Sequence, residues 1–225
     1  MVCLQGLEDP RMEAEEIEIR TLIISLATII STEVATIVVI SLGLYYPMII
    51  LGVARLLEII LIVLIVMIWG KGMPSIGLDR SKMVPGLKRG MIWSAGFGMV
   101  AFLVFVVLFA AGINALTLIQ AHMPPKHSEI ALLFFVGGIV GPIAEEAFFR
   151  GILYGFFRRW GVVMALVLST LIFVLTHPTN HGVPVTQAVG GVLFAAAYEV
   201  EGSLIAPITI HVLGNMTIFT LSLIS

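Results

Sequence analysis

Glu145, Glu146 and Arg150 lie within six positions of one another in a chain of membrane-like composition. An ionisable side chain at the centre of a bilayer-spanning helix costs roughly 2.5 to 3.5 kcal/mol on insertion scales. Three so close together require one another, water, or a reaction. Downstream, His177 closes an apolar stretch, and His211 and Asn215 stand four apart in the last one. A carboxylate and an imidazole can polarise a water and take its proton. An imidazole N–H and an asparagine amide are suitable donors for a developing oxyanion. These residue types together describe a hydrolytic centre. Two histidines and a glutamate would also suffice for a catalytic zinc. The chain has no HExxH and no cysteine near these positions, so zinc is the second choice and no cofactor or metal is expected.

Spacing says how the pieces meet. A turn is expected around Arg158, Arg159, Trp160 and Gly161; Glu145 lies sixteen residues before Gly161 and His177 sixteen after it. Two antiparallel helices of equal rise bring both side chains to the same depth. Glu146 and Arg150, one helical turn apart, should face each other. Adjacent helical residues point about 100° apart, so one glutamate aims at the water and the other does not. Glu145 is assigned to chemistry and Glu146 with Arg150 to positioning, although spacing alone permits the reverse. Each piece also has a plain structural explanation: a helix ion pair, a helix-end cap at His177 before Pro178, and interhelical hydrogen bonding at His211 and Asn215. Those explanations weaken jointly, because one small bundle must bury all three.

The elements that would carry these residues are helices. Of 225 residues 59% are hydrophobic and 12% charged, about half the charged fraction of soluble domains. Mean hydropathy is +1.10. Recurrent apolar stretches of about 20 residues lack the alternation of barrel strands, which leaves an all-α, polytopic transmembrane bundle of seven to eight helices. Spans are expected at 19–42, 46–69, 90–118, 128–158, 161–177, 184–199 and 203–224. The fourth is too long for one straight crossing, and Gly137, Gly138, Gly141 and Pro142 predict a break or kink that could divide it in two. One domain, residues 1–225, is expected, with a polar leader over 1–18 and a motif core over about 128–220.

With alternate crossings, nine Lys and Arg residues fall on one side and only Lys126 on the other, placing the N-terminus in the cytoplasm. The stretch from Lys71 to Arg89 reads as an interfacial loop at lipid headgroups. The acidic N-terminus argues against a cleavable signal peptide, and the single cysteine, Cys3, rules out an intrachain disulfide. No basic, aromatic-interleaved patch suggests nucleic acid. Glu33 and Arg55 should meet across the first helical hairpin, or Arg55 should pair with Glu58 on its own helix; a structural ion pair is favoured over a substrate-path role. His122, His127 and His181 read as solvated loop residues.

Glu145-Glu146-Ala-Phe-Phe-Arg150, Phe173-Val-Leu-Thr-His177 and His211-Val-Leu-Gly-Asn215 resemble the three motifs of the CAAX protease and bacteriocin-processing family, which contains the type II CAAX prenyl endopeptidases (Ras-converting enzymes). Gly151, Gly190-Gly191 and Gly202-Ser203-Leu204 are similar too, with a weaker echo in Ile76-Gly77-Leu78 and Pro85-Gly86-Leu87. The resemblance implies an intramembrane endopeptidase that uses a glutamate-activated water. It gives Glu145 and His177 the water, and His211 and Asn215 the oxyanion hole, with Glu146, Arg150 and Phe173 in support. Its implied partners are membrane lipid and a prenylated or otherwise hydrophobic peptide, cut near its C-terminus. The alternatives are a non-enzymatic immunity or scaffolding protein, a zinc-dependent membrane protease, and a proton pathway.

Overall fold

The computed structural model describes residues 17–43, 46–114, 116, 119–177 and 184–224. Among them every long element is helical. We number the helices α1 (Ile19–Ser41), α2 (Pro47–Trp69), α3 (Arg80–Ala110), α4 (His127–Trp160), α5 (Val162–Leu175), α6 (Val185–Glu201) and α7 (Ile205–Ile224). Five of them (α1, α2, α3, α4 and α7) are long and apolar enough to cross a membrane. This is an integral, multi-pass membrane protein. Large apolar side chains such as Phe109, Val107 and Val163 point outward, as they must where lipid replaces water. The expected position of His181, like the 1–16 part of the leader, lies outside the described residues.

Two expectations need correction. The third helix begins at Arg80, ten residues before the expected span, and ends at Ala110. Asp79 caps it by accepting from the Ser81 amide at 2.7 Å. Pro85 removes only the donor to Ser81, which is exposed near the helix start, so the loss there is cheap. Gly86, read from sequence as a loop residue, and Gly90, read as the first residue of the span, are buried contact points against α7 and the residues just before it. A Cβ on Gly90 would stand 2.7 Å from Thr209 Cβ and 2.8 Å from the Ala206 carbonyl oxygen, whereas one on Gly96 would meet nothing within 4 Å. Gly90→Leu should therefore destabilise the fold by about 1–3 kcal/mol. Gly96→Leu should leave the thermal midpoint in detergent unchanged.

The second concerns Pro142, where a break or kink that could divide the helix in two is expected. Residues His127–Trp160 continue through it as one helix, because two π-helical segments, Val136–Val140 and Ala147–Tyr154, widen the turns on either side. A wider turn relieves the clash between the proline ring and the preceding carbonyls. His127 opens this helix instead of lying in a loop, although it is exposed as expected.

Around α4 the other helices close through small residues, the usual device where lipid removes the hydrophobic drive for association. Positions where a Cβ would collide are Gly52 (2.8 Å from Val136), Gly138 (2.8 Å from Met216) and Gly191 (2.7 Å from Thr170). These contacts bring α2, α7 and α6 toward the motif-bearing centre. At one end, Arg158 makes a bidentate pair with Glu199 at 2.7 and 2.8 Å, and the Tyr154 hydroxyl donates to the same carboxylate at 2.8 Å. That cluster fixes α4 against α6. In the first hairpin Arg55 bridges both expected partners, Glu33 on α1 and Glu58 at 2.6 Å on its own helix.

Candidate active site

Helix α5 is short: its fourteen residues rise about 21 Å, less than the hydrocarbon thickness of about 30 Å. His177 lies just beyond its end. The hairpin with α4 brings its Nε2 to 3.6 Å from Glu145 Oε2, and α7 brings His211 Nε2 to 3.8 Å from the same oxygen. Three elements thus converge on one carboxylate oxygen. The side chains of Glu145 and His177 keep 18% and 29% of their surface accessible, whereas Glu146 and Arg150 keep none. The adjacent glutamates are thereby sorted: Glu145 faces the opening and Glu146 the protein interior.

The hydrogen bonds fix how each imidazole is presented. His177 Nδ1 lies 2.7 Å from the Phe173 carbonyl oxygen, which only accepts, so Nδ1 carries the proton. A neutral His177 then turns a bare Nε2 toward Glu145. His211 Nδ1 lies 2.8 Å from Glu146 Oε1, which also accepts 2.9 Å from an Arg150 guanidinium nitrogen. A carboxylate paired with arginine is an acceptor, so His211 likewise donates from Nδ1 and directs Nε2 at Glu145. The buried chain Arg150–Glu146–His211 therefore orients an imidazole whose Nε2 points toward Glu145.

Aromatic rings enclose this chain. The Arg150 guanidinium carbon lies 4.8 Å from the Phe173 ring centre and 5.1 Å from that of Phe194. A second guanidinium nitrogen donates to the Gly191 carbonyl at 3.1 Å. Phe194 stacks on His211 at 4.5 Å with 20° between planes, and Phe173 packs on His177 at 4.4 Å. A low-dielectric wall of this kind strengthens the charges it surrounds. Phe194 and the Gly191 carbonyl also belong to the site; Gly191 lies in the Gly190-Gly191 pair already noted, whereas spacing gives no sign of Phe194. Phe194 lies three residues from Gly191, on the helix face that the glycine lets approach; that was the only available cue.

Asn215, to which the motif resemblance gives part of the oxyanion hole, also makes a contact to the backbone. Its side-chain amide donates to the Gly137 carbonyl at 2.9 Å, within the π segment of α4. The structure thus gathers Glu145, His177 and His211 about one point, sets Glu146, Arg150 and Phe173 behind them, and commits at least one Asn215 N–H to the backbone. Among the described residues no three His, Cys, Asp or Glu side chains are arranged to hold a metal ion. The charge of Arg55 also bears on Glu145, so the ion-pair cluster of the first hairpin lies within electrostatic reach of the site.

Residues 127–217 match the family described as type II CAAX prenyl endopeptidase Rce1-like. Over 94 residues the chain is 34% identical to the membrane-embedded CAAX protease MroQ of Staphylococcus aureus (strain USA300), covering 39% of this chain and 38% of that protein. The similarity to that relative thus spans well under half of its length. No solved structure matches the chain significantly. The family match covers the helices that converge on Glu145, and over that stretch the chain is similar to the type II CAAX prenyl endopeptidases.

Proposed function

We propose that this protein is an intramembrane endopeptidase that hydrolyses a peptide bond near the C-terminus of a membrane-associated peptide, without a bound metal. The observation that carries the reading is the pair of imidazole Nε2 atoms at 3.6 and 3.8 Å from one glutamate oxygen. Those separations exceed a direct hydrogen bond and suit a bridging water.

Glu145 takes one proton of that water while His177 Nε2 accepts a hydrogen bond from the other. The water oxygen then attacks the scissile carbonyl carbon. In its protonated form His211 donates from both nitrogens, to Glu146 through Nδ1 and to the developing oxyanion through Nε2. Collapse of the tetrahedral intermediate breaks the C–N bond, and the proton held by Glu145 passes to the leaving amine. Similarity to a CAAX protease family supports a lipid-anchored CAAX-type substrate entering laterally between helices. The Lys and Arg distribution supports a cytoplasmic N-terminus.

The test is cleavage of a farnesylated CAAX peptide by protein in liposomes, followed by mass spectrometry beside an unlipidated peptide of the same sequence. Loss of the C-terminal tripeptide is expected. An uncut farnesylated peptide would remove the CAAX specificity, and failure to cut any membrane peptide would remove the protease reading. Turnover should be unchanged by EDTA or 1,10-phenanthroline. Stoichiometric zinc lost together with activity would instead establish the metal-dependent reading.

A further inference from the structure

The contact of Asn215 raises a question about α4 itself. In an α-helix the Gly137 carbonyl would accept from the amide of residue 141. Here the Gly141 amide donates one residue further back, to the Val136 carbonyl, as the π-turn requires. In that wider geometry the next donor, for Gly137, would be residue 142, which is proline and has no N–H. Neither backbone donor that ordinarily serves a helical carbonyl is therefore present for Gly137. The Asn215 amide supplies the bond at 2.9 Å from a different helix. On the same helix, Met216 packs onto Gly138, where a Cβ would stand 2.8 Å from the methionine methyl group. Three residues after Pro142 comes Glu145.

We propose that Asn215 is a positioning residue: its amide replaces the backbone donor that Pro142 lacks, holds the π-turn open, and so sets the rotation of α4 that aims Glu145 at the two imidazoles. A π-turn inserts one extra residue into the helix and rotates everything that follows by about 100°. Without that rotation the register of the two glutamates would change, and the side chain facing the opening would not be Glu145. The role rests on the hydrolytic reading of Glu145 for its consequence, but the hydrogen bond itself can be measured without any substrate.

Two experiments test it. The chain has only two Gly-Gly steps, 137–138 and 190–191. Protein grown with carbonyl-13C, 15N-glycine therefore gives just two directly bonded 13C–15N carbonyl signals, those of Gly137 and Gly190. Asn215→Ala should move the Gly137 signal and leave the Gly190 signal in place. A Gly137 signal that stays fixed overturns the proposal, whatever the activity assay gives. The second experiment reads kcat on the farnesylated peptide in two backgrounds. Asn215→Ala alone should lose about 10²-fold, the scale of a misplaced catalytic group. Pro142→Ala restores an N–H at position 142, so in that background the further loss from Asn215→Ala should shrink below about 3-fold. An oxyanion donor would instead be missed equally in both backgrounds, and equal losses would contradict a positioning role. Should Pro142→Ala abolish activity by itself, the carbonyl signal alone decides.

Discussion

Glu145→Gln is expected to lower kcat by about 10²- to 10⁴-fold, the usual contribution of a positioned general base, while the protein folds and inserts as before. The amide keeps the shape of the carboxylate but accepts no proton. His177→Ala should fall in the same range, because only its Nε2 and Glu145 frame the proposed water from the more open side. Both effects belong in kcat, with KM nearly unchanged, since neither side chain is assigned to holding the peptide. Neither group is locked in a buried pair, so thermal unfolding in detergent should be altered little. If Glu145→Gln kept wild-type turnover, catalysis by Glu145 would be excluded. If it kept a cellular function that does not depend on cleavage, the immunity or scaffolding reading would take its place.

Arg150→Met should do the opposite and damage the fold first. Arg150 and Glu146 are fully buried 2.9 Å apart, and removal of one partner leaves an uncompensated charge within the bundle. Breaking such a pair typically costs about 3–5 kcal/mol. Glu146→Leu combined with Arg150→Met removes both charges, and buried pairs replaced by apolar side chains are often neutral or stabilising. The double variant should recover much of the lost stability. It should not recover turnover, because His211 Nδ1 loses its acceptor and the ring its orientation. Equilibrium unfolding of the single and double variants, with kcat measured on each, separates the two roles. A double variant as active as wild type would show that the Arg150–Glu146–His211 chain does not serve catalysis.

Much of this arrangement could be read from residue spacing. The equal sixteen-residue arms about Gly161 foretold the meeting of Glu145 and His177, because helical rise converts residue count directly into depth. The same arithmetic about a first-hairpin turn centred near position 44 gives the contact of Glu33 with Arg55. The start of α3 is not legible in the sequence because Pro85 and Gly86 carry low intrinsic helix propensity. Packing of Gly86 against Ser203 and of Gly90 against Thr209 overrides it, and tertiary contact leaves no local signature. Whether α4 continues through Pro142 is left open by the sequence for a related reason. The group that satisfies the freed carbonyl is Asn215, 78 positions away. Its motif spacing pointed to an oxyanion donor, and nothing in the sequence near Asn215 mentions Gly137. The aromatic enclosure by Phe194 is likewise invisible, since a phenylalanine beside a histidine of the site looks the same in sequence as one facing lipid.

The most direct measurement is a single turnover of the farnesylated peptide in H2 18O, with mass analysis of both the cleaved peptide and the protein segment containing Glu145. Direct attack by water on the scissile carbonyl predicts one 18O in the newly formed peptide carboxylate and only 16O in the Glu145 side chain. An 18O atom in Glu145 would mean that its carboxylate had bonded to the substrate before water arrived, and would contradict the account.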